Sequence, residues 1–168
     1  SLTVNGYTVP EGIAYYNNYL WISIDNQDTP YLAKYDLSGT IQPIWSNTST
    51  LIGKTGPQPL TEYDTDSLKW RHPKALQFDS DGNLYLVLSG QDSNHVKAIA
   101  KINSTTGAFI SYLSPVGTSA RFYGLVIYEN DLYTSDILGN TIWKYSLKTG
   151  LQTKIFTNQL TDDTLTVN

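Results

Sequence analysis

The sequence predicts an all-β fold: a β-propeller built from four-stranded antiparallel blades, with three blades in this chain. Three observations carry that reading. A set of short motifs returns in the same order three times, at a spacing of about forty residues, the period of a propeller blade. Within each copy, apolar and other side chains alternate with the period of two that a strand imposes. Between the runs lie tight turns of Asn, Asp and Gly, residues that accept the positive φ of hairpins.

The first copy reads Glu11-Gly12-Ile13-Ala14-Tyr15, then Tyr19-Leu20-Trp21-Ile22-Ser23, then Ala33-Lys34-Tyr35-Asp36-Leu37-Ser38-Gly39. The second is Lys74-Ala75-Leu76-Gln77-Phe78, Asn83-Leu84-Tyr85-Leu86-Val87, Ala100-Lys101-Ile102-Asn103 and Gly107. The third is Tyr123-Gly124-Leu125-Val126-Ile127, Asp131-Leu132-Tyr133-Thr134-Ser135, Trp143-Lys144-Tyr145-Ser146 and Gly150. A fourth strand is expected after each Ser/Thr-Gly turn, over Thr40 to Trp45, Ala108 to Leu113 and Leu151 to Phe156. The blades then span about 10–46, 73–114 and 122–157, with an insertion over about 46–72. The insertion holds Gly53, Gly56, Pro57 and Pro59, and a connection of that length is usually functional or mobile. Residues 2–9 read as a further strand, and their Leu-Thr-Val-Asn string returns within 160–168, at Leu165 to Asn168. Both segments are candidates for completing a blade with a partner.

Composition excludes several classes. The 168 residues suffice for one domain with a substantial core. A net charge of −4 with scattered Lys and Arg gives no footprint for nucleic acid. No apolar run approaches the length of a membrane span. The chain has no Cys, so disulfides and thiolate chemistry are out, and its wealth of Thr, Ser, Asn and Tyr with few charges resembles secreted surface proteins. Methionine is absent too, position 1 included, which points to a processed chain such as signal-peptide removal leaves. The expected location is therefore extracellular or at the cell surface. Asn47-Thr48-Ser49 and Asn103-Ser104-Thr105 are glycosylation sequons, with Asn47 and Asn103 as acceptors.

The blade count raises a geometric question, because closed propellers hold about four to eight blades. Three blades need a complement. The options are a second copy of the chain giving six, a partner chain, or an open stack that polymerises through its end faces. The two-copy ring is preferred.

Pro10-Glu11-Gly12-Ile13-Ala14 with Tyr35-Asp36, and Leu132-Tyr133-Thr134-Ser135-Asp136 with Asn140-Thr141-Ile142-Trp143-Lys144-Tyr145, make the chain resemble the six-bladed propellers of the NHL-repeat, SMP-30/gluconolactonase and streptogramin-lyase group. The resemblance covers most of the chain outside the insertion and implies blade architecture more than activity. In SMP-30-like lactonases the residue before the first-strand Gly points into the central channel, where Glu, Asn and Asp hold a divalent metal. The matching positions are Glu11, Lys74 and Tyr123. Only Glu11 keeps a metal-ligand type, and Lys74 brings an ammonium to where the ion would sit. No metal or other cofactor is therefore expected, with Glu11 the one candidate ligand. Streptogramin lyases use a His-centred site, which His72 and His95 do not reproduce.

Glu11, Lys74 and Tyr123 are thus expected to line a channel, with Arg121 and His72 near its entrance because each lies two residues before one of them. Their plainer reading is mutual neutralisation of Glu11 and Lys74 in a wet channel. Asp79-Ser80-Asp81-Gly82-Asn83 has alternating oxygen donors, but its glycines do not fall where a calcium loop needs them, and an Asp-Gly hairpin accounts for it. Lys34, Lys101 and Lys144 repeat in every copy and read as architecture, their stems covering apolar neighbours and their ammonium groups reaching solvent. Trp21 and Trp143 read as core, whereas Tyr63 and Trp70 could form a surface platform for a carbohydrate or protein ligand. No phosphate loop, nucleophile elbow or zinc spacing is present. A binding or structural scaffold is therefore expected, with a metal-dependent lactonase- or lyase-like enzyme whose site forms in the assembled central channel, and a filament or surface-layer subunit, as alternatives.

Overall fold

The computed structural model describes residues 9–26, 29–44, 58–64, 68–113 and 120–157. Asn47, the segment 160–168, residues 2–8 and most of the insertion lie outside these residues. The described chain forms three antiparallel sheets in sequence order. Blade 1 comprises β1 (Val9–Tyr16), β2 (Tyr19–Asp25), β3 (Tyr31–Asp36), β4 (Ile41–Gln42) and β5 (Gln58–Pro59). Blade 2 comprises β6 (Pro73–Phe78), β7 (Asn83–Ser89), β8 (Lys97–Asn103) and β9 (Phe109–Leu113). Blade 3 comprises β10 (Phe122–Tyr128), β11 (Asp131–Asp136), β12 (Thr141–Ser146) and β13 (Gln152–Thr157). Each blade is an up-and-down meander, which is the β-propeller architecture. No helix among the described residues is long and apolar enough to cross a membrane.

The turns follow from residue type. Asn17 and Asn18 both take positive φ, 50° and 65°, as a two-residue hairpin of right-handed twist requires. The third turn of every blade places a glycine in the left-handed region: Gly39 at 86°, Gly107 at 72° and Gly150 at 70°. Asp79 uses both carboxylate oxygens inside its own hairpin: Oδ1 accepts from the Asp81 and Asn83 amides, and Oδ2 accepts from Asn83 Nδ2 and the Tyr85 hydroxyl. The turn reading of that run holds.

One boundary differs from expectation. The fourth strand of blade 1 was expected to run from Thr40 to Trp45, but β4 ends at Gln42. Pro43 has no amide proton to continue the ladder. The edge is taken up again by β5: β4 pairs with β3 at Lys34 and Tyr35, and β5 pairs with it at Tyr31 and Leu32. A short strand ahead of the insertion and another within it thus share one edge.

The core lies between blades. One face of blade 1 (Ala14, Trp21) meets Leu76, Leu84, Leu86 and Leu88 of blade 2, and the far face of blade 2 (Tyr85, Val87, Ile99) meets Phe122 and Leu132 of blade 3. Both faces of β7 are buried, which accounts for its run of apolar residues. Trp21 is core as expected, and Trp143 packs partly buried against the second cluster.

Tyr63 and Trp70 do not form a surface platform. Trp70 is 1% exposed, stacks on Tyr63 at 4.4 Å, and donates its indole N–H to the Tyr112 hydroxyl at 2.6 Å. Asp64 pins the pair by accepting from the Trp70 amide at 2.6 Å and from the Arg71 guanidinium. The end of the insertion is a strap that completes the core, because a ring this large is stabilised more by burial than by water.

The repeated lysines also depart from the expectation of free ammonium groups. Each Nζ lies over an aromatic ring of its blade: Lys34 over Tyr19 at 4.6 Å, Lys101 over Tyr85 at 5.3 Å and Lys144 over Tyr133 at 5.8 Å. Cation–π attraction holds the cations on the sheet.

Blades 1 and 2 are joined most tightly at Gly12. A Cβ there would lie 2.4 Å from the Lys74 carbonyl oxygen and 2.9 Å from the Ala75 Cα. That close approach lets Ser23 Oγ donate to the same carbonyl at 2.5 Å. Gly12→Ala is therefore expected to cost about 2–4 kcal/mol, since two backbones must separate. Gly39→Ala meets nothing within 4 Å and is expected to cost only about 1 kcal/mol for its left-handed backbone. Urea denaturation of the two variants checks the ordering.

Candidate functional site

The first strand of every blade carries a β-bulge, between Pro10 and Gly12, between Pro73 and Leu76, and between Phe122 and Leu125. Each irregular stretch contains the residue singled out by comparing the copies: Glu11, Lys74 or Tyr123. A bulge re-aims a side chain out of the regular alternation. Here it turns one side chain per blade toward a common point.

Lys74 is the centre of that point. Its side chain is 9% exposed, and its ammonium donates to Glu11 Oε1 at 2.6 Å and Asp25 Oδ2 at 3.1 Å. Burial alone would lower its pKa, but hydrogen bonds and charge attraction from Glu11 and Asp25 outweigh burial and raise it. Lys74 therefore stays an ammonium across the physiological range. The Tyr123 ring lies 5.3 Å from Lys74 Nζ and 5.9 Å from the Arg121 guanidinium carbon, so the aromatic residue is shared by two cations.

His72 enters from the segment before β6. Its Nδ1 lies 3.1 Å from Asp25 Oδ2, and its ring meets His95 edge-on at 5.9 Å. Its φ of 52° is a left-handed conformation that costs a non-glycine residue on the order of 1 kcal/mol. The Ser89 amide, donating to the His72 carbonyl at 3.0 Å, helps hold it there.

The five channel candidates thus converge, contributed by all three blades. The plain reading of Glu11 and Lys74 as a neutralising pair is also realised. Asp25 is the residue that sequence reasoning missed. It stands at the end of β2, where the other copies have Ser89 and Ile137, so extending the comparison by two positions marks it as non-repeating. Its Oδ1 is buried without a hydrogen-bond partner among the described residues. Asn103, the described sequon, starts the β8–β9 turn, where Oδ1 accepts from the Thr105 and Thr106 amides.

These residues do not fit a divalent metal. Glu11 and Asp25 both face the Lys74 ammonium, which would compete with any hard cation. No group of three or more His, Cys, Asp or Glu among the described residues is placed to hold one. Glu11 and Asp25 paired with the Lys74 ammonium, beside the Tyr123 ring, make a polar cluster where the first strands meet.

No protein-family model matches the chain, and no curated protein matches it by sequence. Solved structures do match. A crystal structure of a nidogen/laminin complex superposes with a TM-score of 0.60 at 19% identity, over 89% of this chain and 47% of the other. A protein of unknown function from Bacteroides caccae gives 0.60 at 8% identity, over 95% and 50%. The computationally designed Ika4 protein gives 0.53 at 14% identity, over 94% and 77%. These likenesses establish the β-propeller fold and do not single out the NHL or SMP-30 group. The chain spans about half the length of the first two.

Removing the central cation leaves two carboxylates facing each other. Lys74→Met is expected to cost about 3 kcal/mol, as for other broken partly buried ion pairs. The sign with pH follows from the raised pKa of Lys74. Its contribution is full below the ordinary lysine pKa and is lost as pH rises through the higher folded value. Wild-type stability is expected to fall toward that of Lys74→Met as pH rises above the ordinary lysine pKa, as measured by urea midpoints.

Proposed function

We propose that the chain is an extracellular β-propeller unit that joins a second copy into a closed ring and serves as a binding scaffold around the Glu11–Lys74–Tyr123 channel. The carrying observation is that the two end faces of the stack match its internal joints. In register, Ile13, Tyr15, Leu20 and Ile22 of blade 1 correspond to Leu76, Phe78, Leu84 and Leu86 of blade 2. The blade 2 residues pack against blade 1. Ile13 and Tyr15 are 62% and 59% exposed.

At the other end, Gly124, Val126, Tyr128, Tyr133 and Ser135 stand where blade 1 has Gly12, Ala14, Tyr16, Trp21 and Ser23. Val126 and Tyr128 are 51% and 66% exposed. Gly124 and Ser135 even repeat the pair that brings β1 against β6. A head-to-tail contact between unlike faces closes into a ring when two copies supply both joints. Coverage of about half of two similar structures fits such a unit. A composition rich in Thr, Ser, Asn and Tyr with few charges supports an extracellular setting.

Sedimentation velocity at micromolar concentration is expected to give twice the 18.8 kDa chain mass. Ile13→Glu and Val126→Glu are each expected to yield monomer. Gly124→Ala meets only Ser135 Oγ, at 3.1 Å, within one chain, yet is expected to weaken the dimer at least about tenfold because the Cβ would stand at the new joint. A stable wild-type monomer, or an open ladder of larger species, overturns the closed-ring reading.

A further inference from the structure

We propose that a second site, the cleft between the outer flank of blade 1 and the β8–β9 turn of blade 2, binds an anionic sugar-sized ligand, a hexuronate or a hexose sulfate, with Lys34 holding the acidic group. The cleft has a volume of about 580 Å³, within the usual size of small-molecule sites. It is lined by the aromatic residues Tyr16, Tyr19 and Trp21, by Asn17 and Thr105, and by one charged side chain, Lys34.

The argument rests on a comparison that the threefold repeat provides. Lys101 has a carboxylate, Asp79 Oδ2 at 3.8 Å, and Lys144 has Asp131 Oδ2 at 2.7 Å. Lys34 occupies the same place in blade 1, over Tyr19 and over Trp21 at 5.4 Å, but has no carboxylate within ion-pair distance among the described residues. Blade 1 has Tyr19 where blade 3 has Asp131, and the neutral Asn17-Asn18 hairpin where blade 2 has its Asp79 turn.

The acid on its own strand is committed elsewhere. Asp36 Oδ1 accepts from the Ser38 and Thr40 amides and the Ser38 hydroxyl, and Oδ2 accepts from Gln42 Nε2. Burial pushes the Lys34 pKa down, as expected for an ammonium without a compensating anion. An incoming carboxylate or sulfate supplies that anion. The rings of Tyr16 and Tyr19 suit the apolar face of a pyranose, and the Asn17 and Thr105 side chains offer hydrogen bonds to its hydroxyls. The lining comes from the β1–β2 turn, β3, β4 and the β8–β9 turn and includes neither Lys74 nor the exposed end-face residues Ile13, Tyr15, Val126 and Tyr128, so the site does not depend on ring closure.

Isothermal titration calorimetry with D-glucuronate, D-glucose 6-sulfate, D-glucose and acetate tests this. Saturable binding is expected for at least one of the two anionic sugars, with glucose and acetate at least about tenfold weaker. Which anionic sugar binds more tightly assigns the acidic group. Lys34→Gln is expected to lose at least about tenfold in affinity, and Thr105→Trp, at an exposed turn position, to block the cleft while leaving Lys34 in place. Far-UV circular dichroism and melting of both variants should match the wild type. Failure of both anionic sugars to saturate, equal binding of glucose, or undiminished binding by both folded variants overturns the proposal. A monomeric protein that binds glucuronate would refute the ring and leave this site standing.

Discussion

The distance of closest approach between neighbouring innermost strands governs the molecule. Gly12 allows the backbone of β1 to sit against the Lys74 carbonyl and Ala75 Cα, and Ser23 converts that contact into a buried hydrogen bond. The blade-to-blade distance at this end follows, and with it the packing of Trp21 on the leucines of β7. A wider joint would also pull Glu11 and Asp25 away from Lys74. Packing and electrostatics here depend on the same missing methyl group.

The recurring bulge explains how one architecture carries different chemistry in each blade. It provides every first strand with one side chain that leaves the core alternation. That position differs from copy to copy, as Glu, Lys and Tyr, and the three side chains meet one another across the blade joints. The third-strand lysines show the reverse case. Their identity is constant while their counter-ions differ, so the same residue has a carboxylate in two blades and, among the described residues, aromatic partners without one in the third.

Much of this was legible in the sequence for a physical reason. Period-two alternation and left-handed turns are local, so Asn17-Asn18 and the three Ser/Thr-Gly turns marked strand ends without knowledge of the rest. Glu11, Lys74 and Tyr123 were legible as a set because a repeat turns three distant positions into one. Asp25 was not, since it acts through contacts 47 and 49 residues away in sequence. Trp70 was misjudged because an aromatic residue in an irregular segment looks alike whether it faces water or, as here, stacks on Tyr63 beneath the strap. The division of the blade 1 edge between β4 and β5 depends on a non-local pairing with β3 that no local pattern announces.

That divided edge has a consequence for how the chain tolerates change. β4 delivers the chain to the edge of β3, and β5 returns it to the same edge a few rungs along. The ladder is therefore anchored on both sides of the excursion, and the number of residues between the anchors does not set the strand register. Loop-closure entropy grows only slowly with length. Blade 1 thus keeps the β3 edge paired by two strands that the chain reaches separately, and the register of each is set by β3 rather than by the length of chain that joins them.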